Sequence, residues 1–370
     1  MTQIQNAKTK PPFKWTGGKN RMRDKYRDIF FPDGEMTTFV DMFCGACSIS
    51  LWVAENFPDT KIVLNDKNEE LIELYHVFQQ EYNDLEKRYQ ENVDILLSFP
   101  EQGKVSASDV CSYLNRDVTE QELSEMLARF EVLKKETKVK DDPDIKEKRK
   151  ELREIKECLD DYTLPWTWLK NLPKEGTSKK VLDRKNFYYS LRQRYALEPH
   201  TQTRAENAGD LLFMMRVNFN GIWKGYDICN GRYSTPPGTM TQKEKFFDVA
   251  EIRKFRDFLQ RCEVVSKDFG QLKEWKEPGT YYYADPPYRD SVVVYDGGFA
   301  EEDQLRLVNF LKEMSDAGCW VSESNKEIAD EFWNNNFSEE NYKQHYMSAR
   351  YTAGRGTSLL NVDEVLVTNF

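Results

Sequence analysis

The sequence predicts an α/β fold, in which a largely parallel sheet is assembled from both ends of the chain and a helical segment is inserted between them. Three observations predict it. Short β-rich runs alternate with helical spacing near the N-terminus, the same alternation returns from Cys262 onward, and the middle of the chain is densely charged with few apolar positions.

Taken in order, Thr38–Phe43 and Lys61–Asn65 read as strands, and Ser48–Phe57 between them reads as a helix stopped by Pro58. A strand–helix–strand succession is how parallel neighbours are connected. Strand runs recur at Cys262–Ser266, Thr280–Ala284 and Cys319–Ser322. Between the last two, Glu301–Ser315 carries Leu305, Leu307, Val308, Phe310 and Leu311 at helical spacing. Tyr342–Met347 and Asp363–Phe370 are expected to close the sheet as an edge hairpin. In the middle, Thr119-x-x-Glu122 has the form of a capping box opening a helix through Lys135. Asp144–Asp161, with apolar residues only at Ile145, Leu152, Ile155 and Leu159, reads as an exposed helix or one arm of a helical hairpin. The expected division is a sheet domain from 11–82 and 257–370, a charged helical insertion at 83–183, and a separate region at 184–256.

The net charge of −10 is unevenly spread over the 370 residues. Glu81–Asp161 holds 22 acidic against 15 basic residues, whereas Arg184–Arg256 holds 13 basic against 7 acidic. A local basic face is what contact with nucleic-acid phosphates requires, although ordinary solvated helix faces account for the pattern equally well. No apolar run approaches the ~18–20 residues of a membrane span, and Met1–Lys10 is polar, so a cytoplasmic protein is expected. Cys44 and Cys47 form a lone C-x-x-C with no second pair to complete a zinc site, so reduced thiols and no metal are expected.

Phe39–Ser48 combines a strand, a small-residue turn around Gly45 and a helix start. Such a turn admits a ligand to the helix N-terminus, and it equally permits tight strand–helix packing. Asp66, after the next strand, can accept hydrogen bonds from the ribose of a nucleoside cofactor or cap a helix at Asn68–Tyr75. Phe13-Lys14-Trp15-Thr16-Gly17-Gly18-Lys19 lacks the spacing of a phosphate-binding Walker loop.

The most specific feature is Asp285-Pro286-Pro287-Tyr288, which ends a strand in a rigid turn. An exocyclic amino group on a nucleobase is a poor nucleophile because its lone pair is delocalised into the ring. The Asp285 carboxylate and the Pro286 carbonyl can each accept one amino hydrogen and turn the lone pair toward an incoming methyl group. Tyr288 can stack on the extruded base. An activated methyl donor then needs positioning and electrostatics rather than a covalent nucleophile.

Together these motifs resemble the Dam-type, or D12-class, DNA adenine methyltransferases of bacteria and phages. The family's K-W-x-G-G-K matches Lys14–Lys19, its F-x-G-x-x-S turn matches Phe43–Ser48, its post-strand acidic motif matches Asn65–Asn68, and its D-P-P-Y matches Asp285–Tyr288. Its N-G and P-F-G segments resemble Asn220-Gly221 and Pro236-Pro237-Gly238, its late S-N resembles Ser322-Glu323-Ser324-Asn325, and its terminal D-E-hydrophobic strand resembles Asp363–Leu366. The resemblance covers roughly 11–80 and 184–370. It implies a Rossmann-like seven-stranded methyltransferase sheet with a helical and hairpin target-recognition domain. It also implies S-adenosylmethionine as methyl donor, no metal, and double-stranded DNA as substrate. Trp15, Gly17, Lys19, Phe43, Gly45, Asp66, Asp268, Phe269 and Asp285 are the implied cofactor contacts. Asp285, Pro286 and Tyr288 are the catalytic set, and Lys14, Asn220, Lys224 and Arg232 are the candidates for DNA contact.

Three departures stand out. Cys47 replaces a glycine common in the family, and its thiol is expected to narrow the cofactor pocket. Pro237 replaces the aromatic of P-F-G. Residues 83–183 have no recognised counterpart; they are expected to buttress the fold, with enlarged recognition or a protein partner as alternatives. Among other chemistries, a cytosine-C5 enzyme needs a Pro-Cys nucleophile pair, which is absent. A cytosine-N4 enzyme more often opens the loop with serine and a glutamine methyltransferase with asparagine, so Asp285 points to adenine. A DNA-binding relative that has lost catalysis is the non-enzyme alternative.

Overall fold

The computed structural model describes residues 4–5, 9–15, 17–98, 128–129, 132–133, 135–137, 143–152, 187–189, 191–192, 195, 202–221, 223, 226–227, 232–233, 235–238, 244–289, 299–328, 330–352 and 359–370. Two compact units divide the chain: Met1–Tyr82 with Val249–Phe370, and Asn83–Asp248. In chain order the strands are β1 (Thr38–Asp41), β2 (Lys61–Asn65), β3 (Tyr226–Asp227), β4 (Arg232–Tyr233), β5 (Cys262–Val265), β6 (Thr280–Ala284), β7 (Trp320–Lys326), β8 (Lys343–Thr352) and β9 (Leu359–Thr368). The helices used below are α1 (Arg23–Tyr26), α2 (Ser48–Asn56), α3 (Glu69–Gln80), α4 (Tyr82–Ser98), α5 (Arg204–Val217), α6 (Val249–Leu259), α7 (Glu301–Asp316) and α8 (Phe332–Asn336).

The first unit is a seven-stranded sheet in the order β5-β2-β1-β6-β7-β9-β8. Its strands from β5 through β7 run parallel, and β9 enters antiparallel between β7 and β8. The sheet is therefore α/β and Rossmann-like, as the sequence predicts, and the terminal hairpin occupies the edge. Parallel strands covered on both faces read as continuous apolar runs, and every residue of β1 and of β6 is buried. Alternation then sorts the side chains of β6. Tyr282 joins Val40, Val308, Leu311 and Val365 on one face. Tyr281 and Tyr283 meet an aromatic cluster on the other, with the Phe30 ring 5.3 and 5.1 Å from theirs and Phe31 4.6 Å from Trp52.

One boundary departs from expectation. The sequence predicts a strand ending at Ser322, because Glu323-Ser324-Asn325 is polar, yet β7 continues to Lys326. These three side chains are buried; Ser324 and Asn325 find partners in the loop after β6, at Asp285 and Arg289, and Glu323 accepts from Asn325. Near the other end of the sheet, Asn68 rather than Asp66 caps α3, its side chain accepting from Leu71 N–H at 3.1 Å.

The order β2-β1-β6 reverses direction at β1, so the loops following β1 and β6 diverge and leave a crevice at the strand ends. Asn65 braces this rim. Its amide donates to the carbonyls of Met42 (2.9 Å) and Lys267 (3.1 Å) and accepts from Lys267 N–H (2.8 Å). One buried side chain thus ties together the ends of β1, β2 and β5.

In the second unit, α4 packs on α5 through a buried polar knot. Asp210, with no exposed surface, accepts from Arg88 Nε at 2.8 Å and from Asn92 at 2.7 Å. Gly209 permits the approach, since a Cβ there would fall 2.6 Å from Arg88 Cβ. Thr203 and Glu206 form a capping box at the start of α5. The stretches 83–183 and 184–256, expected as separate regions, share this unit apart from 249–256. Residues 145–152 are helical; Thr119, Glu122 and the remainder of the run to Asp161 lie outside the described residues. No helix among the described residues is long and apolar enough to cross a membrane.

Replacing Asn65 with alanine strands two carbonyls and one N–H at the rim. The expected loss is about 2–3 kcal/mol, read as a lower urea midpoint with an unchanged slope.

Candidate active site

β6 is locked before it reaches the site. The Tyr281 hydroxyl donates to the Phe30 carbonyl at 2.8 Å, and the Tyr282 hydroxyl to the Leu272 carbonyl at 2.9 Å. Beyond Ala284 the two prolines end the ladder, and the loop they form is held on its far side. Gln304 on α7 donates to the Pro287 carbonyl at 2.9 Å, and Asn325 on β7 accepts from Arg289 N–H at 3.2 Å. Asn325 and Gln304 are themselves bonded at 3.1 Å. The Arg289 guanidinium pairs with Asp330 and Glu301 and lies 3.8 Å above the Phe332 ring. Asp285 and Tyr288 therefore project from a braced turn.

The side chain that meets Asp285 comes from the other end of the chain. The Lys19 ammonium, 2% exposed, is 2.6 Å from Asp285 Oδ1. It also donates to the Gly17 carbonyl at 3.4 Å and to the Tyr288 hydroxyl. Ser324 Oγ, which pairs with the Tyr26 hydroxyl at 3.0 Å, reaches the same Asp285 oxygen at 3.5 Å. Tyr288 passes its own proton toward Glu364 Oε1 at 2.8 Å. Burial pushes the Asp285 carboxyl above its ordinary range, and Lys19 opposes that shift without cancelling it. Burial likewise raises Glu364 and, with the nearby carboxylates, Tyr288.

Lys19, expected among the cofactor contacts, thus has its ammonium on the Asp285 carboxylate. Ser324 and Glu364 complete a polar cluster that sequence reasoning did not assemble. The available signal was polar residues inside strand runs, in Ser322–Asn325 and Asp363-Glu364.

The turn after β1 is built by backbone geometry. Gly45 has φ +45°, and a Cβ there would lie 2.7 Å from Trp15 Nε1, so the indole packs directly against the backbone. Asp66 Oδ2 accepts Gly45 N–H at 3.0 Å while Oδ1 accepts Asn68 N–H at 2.9 Å. A carboxylate has about four lone-pair sites, so acceptor capacity remains. Burial raises its carboxyl, and the backbone N–H groups oppose this. Beneath the turn, Asp41 bonds Ser50, and burial pushes it up to about 7. Its Oδ1 is buried without a hydrogen-bond partner among the described residues.

Cys47 adopts φ 59°, the left-handed conformation that glycine enters freely, which costs another residue about 1–2 kcal/mol. Its side chain is fully buried, and the thiol lies 3.8 Å from the Gly45 carbonyl, which Tyr75 OH also bonds. Phe43 and Phe299, both partly buried, meet buried Phe269 at 5.8 and 5.9 Å. Asp268 caps the following turn through Gly270 N–H (3.0 Å) and pairs with Arg306 at 2.6 Å; Arg306 also covers the Phe269 ring. No group of His, Cys, Asp and Glu among the described residues is arranged to hold a metal ion.

Of the DNA-contact candidates, Lys14 is exposed beside Trp15 in the first unit. In the second, Asn220 lies in the turn Phe219–Gly221 and Arg232 in β4, while Lys224 is outside the described residues. Pro237 bridges Asn218, flanked by bonds from Phe219 N–H to Pro236 O (3.0 Å) and from Gly238 N–H to Val217 O (2.8 Å).

Against known proteins, the model of the D12 class N6 adenine-specific DNA methyltransferase family matches residues 15–140 and 167–352. The match runs through most of 83–183, where the sequence alone suggested no counterpart, and breaks only at 141–166. The chain is 27% identical over 181 residues to the type II methyltransferase M1.LlaDCHI of Lactococcus lactis subsp. cremoris, covering 45% of this chain and 59% of that protein. It is 20% identical over 339 residues to the type II methyltransferase M.MjaIII of Methanocaldococcus jannaschii, covering 87% and 86%. It is 27% identical over 178 residues to the Retron Ec67 DNA adenine methylase of Escherichia coli, covering 47% and 59%. The chain therefore spans about three fifths of the length of two of these relatives.

One titration is checkable at this site. Glu323, 1% exposed, bonds Asn325 at 3.2 Å, and burial pushes its carboxyl up to about 8. A carboxyl raised on folding favours the native state most below its ordinary range, and that contribution is lost as pH rises through about 8. Glu323→Gln cannot ionise. Its melting temperature should match the parent near pH 4.5 and exceed it increasingly up to about pH 8, levelling off beyond; a gap independent of pH would contradict the buried neutral carboxyl.

Proposed function

The chain belongs to the D12 class N6 adenine-specific DNA methyltransferase family, and we propose that it transfers a methyl group from S-adenosylmethionine to N6 of an adenine extruded from duplex DNA. The observation that carries this reading is the Asp285–Lys19 pair at the end of β6, beside a turn suited to a nucleoside-bearing donor. That donor, when bound, supplies a methyl group already activated on a sulfonium. The turn fits it. Asp41 offers a buried carboxylate oxygen without a hydrogen-bond partner among the described residues, and Asp66 retains acceptor capacity for ribose hydroxyls. On this reading Trp15 and Gly17 line the pocket, and Phe43, Asp268 and Phe269 border the adenine end.

The chain's own residues then do three things. Lys19 and Ser324 engage Oδ1 of Asp285, so we assign Oδ2 to one hydrogen of the target amino group and the Pro286 carbonyl to the other. Held by both, the amino lone pair leaves the plane of the ring and faces the methyl carbon. As the new N–C bond forms, the nitrogen sheds one proton, and the carboxylate of Asp285, its basicity raised by burial, is the acceptor within reach. The Tyr288 ring supports the base by stacking. Target recognition is assigned to the second unit, through Asn220, Lys224 and Arg232, with Lys14 on the first unit as a further phosphate contact. The acidic stretch 83–183 is a poor phosphate binder, and we assign its α4 to buttressing α5.

Methyl transfer from labelled S-adenosylmethionine to duplex DNA, followed by digestion and mass spectrometry of the nucleosides, tests the reading. N6-methyladenine is expected; N4-methylcytosine would overturn the choice of base, and DNA and donor binding without transfer would favour an inactive relative. Asp285→Ala should lower the rate by at least about 10²–10³-fold while calorimetry still detects donor binding.

A further inference from the structure

Glu364 has no part in the mechanism above, yet it occupies an unusual position. It sits on β9 with no exposed surface, next to the buried run Val365–Val367 and opposite Lys326 of β7. Its Oε2 has no hydrogen-bond partner among the described residues. A carboxylate so placed is a weak source of stability, because desolvation offsets what its partners return. Its one hydrogen bond among the described residues leads to the turn after β6: Oε1 accepts the Tyr288 hydroxyl at 2.8 Å. That hydroxyl accepts from Lys19, whose ammonium lies 2.6 Å from Asp285. With Lys19 donating to it, the tyrosine oxygen has its own proton free to give, and Glu364 receives it. The other charged or titratable groups facing Glu364 are Lys25 and Tyr26 on α1, and Asp285.

We propose that Glu364 is a positioning residue: by accepting the Tyr288 proton it fixes the tilt of the ring on which the target base stacks, and it directs the tyrosine lone pair to Lys19 so that the ammonium stays on Asp285. The inference rests on the reading of this site as an adenine methyltransferase. It gives β9, in the terminal hairpin, a part in positioning Tyr288 and Lys19.

The test uses the full chain, a donor of labelled S-adenosylmethionine and duplex DNA, with Glu364→Ala, Glu364→Gln, Tyr288→Phe and the Ala/Phe double variant. Glu364→Ala should lower kcat by roughly 10- to 100-fold, with dissociation constants for donor and DNA within about threefold of the parent. Glu364→Gln keeps an oxygen for the tyrosine proton and should recover most of the rate. In the Tyr288→Phe background, Glu364→Ala should cost nothing further, because its route to the reaction is already cut. Additive losses, or an unchanged kcat in Glu364→Ala, would overturn the proposal. If Glu364→Ala does not fold, Glu364→Gln decides alone: a rate as low as that of Tyr288→Phe excludes a hydrogen-bonding role. Absence of any transfer by the unaltered protein overturns the functional reading instead. In that case Glu364→Gln and Tyr288→Phe, combined and compared in urea unfolding, still report whether the two side chains are coupled.

Discussion

A lysine ammonium withdrawn from water must find anions, and at Lys19 that need brings the N-terminal segment to the end of β6. The pair spans 266 residues of sequence and closes at 2.6 Å. Desolvation takes back much of what such a pair gains, but removing one partner leaves the other buried and uncompensated, a penalty of about 3–5 kcal/mol. The contact therefore dictates geometry more than it adds stability. It commits Gly17 to the site, holds one oxygen of Asp285, and sets the hydroxyl of Tyr288. The turn around Gly45, against which Trp15 packs, is held by the same segment four residues earlier.

Much of the sheet was legible in the sequence because its strands are buried on both faces and advertise themselves as apolar runs. Thr38–Asp41 and Thr280–Ala284 are of this kind. The limit appears where burial is polar. Glu323, Ser324 and Asn325 look like the end of a strand, since isolated polar residues belong at surfaces. Ser324 and Asn325 find their partners in Asp285, Arg289 and Gln304, each distant in sequence, and Asn325 in turn serves Glu323. The same reason hid Glu364. Asp285, Pro286 and Tyr288 were visible through local covalent constraint, two adjacent prolines. Their positioning by Lys19, Ser324 and Glu364 is a property of the folded sheet that no window of sequence contains.

The nucleoside turn shows a further gap between motif and mechanism. Asp66 carried two readings, ribose acceptor and helix cap. The cap belongs to Asn68, while Asp66 spends one lone pair on Gly45 N–H and another on Asn68 N–H. Those bonds make the acidic residue a brace of the glycine turn. Cys47 makes the complementary point. At a position where the family commonly has glycine, it holds the left-handed backbone with its side chain fully buried.

The pairing of β1 with β6 joins Thr38 to Thr280 at the centre of the sheet. Synthesis from the N-terminus thus delivers β1 and β2 long before their central neighbour exists. Until residues beyond 280 emerge, β1 presents an unpaired apolar edge, the kind of surface that other chains can template upon. Closing a loop of this length is slow relative to local helix formation, while the stretch between, Asn83–Asp248, clusters as a compact unit of its own. The layout makes assembly of the sheet a late event in the life of each molecule, and high-level production a contest between that closure and aggregation.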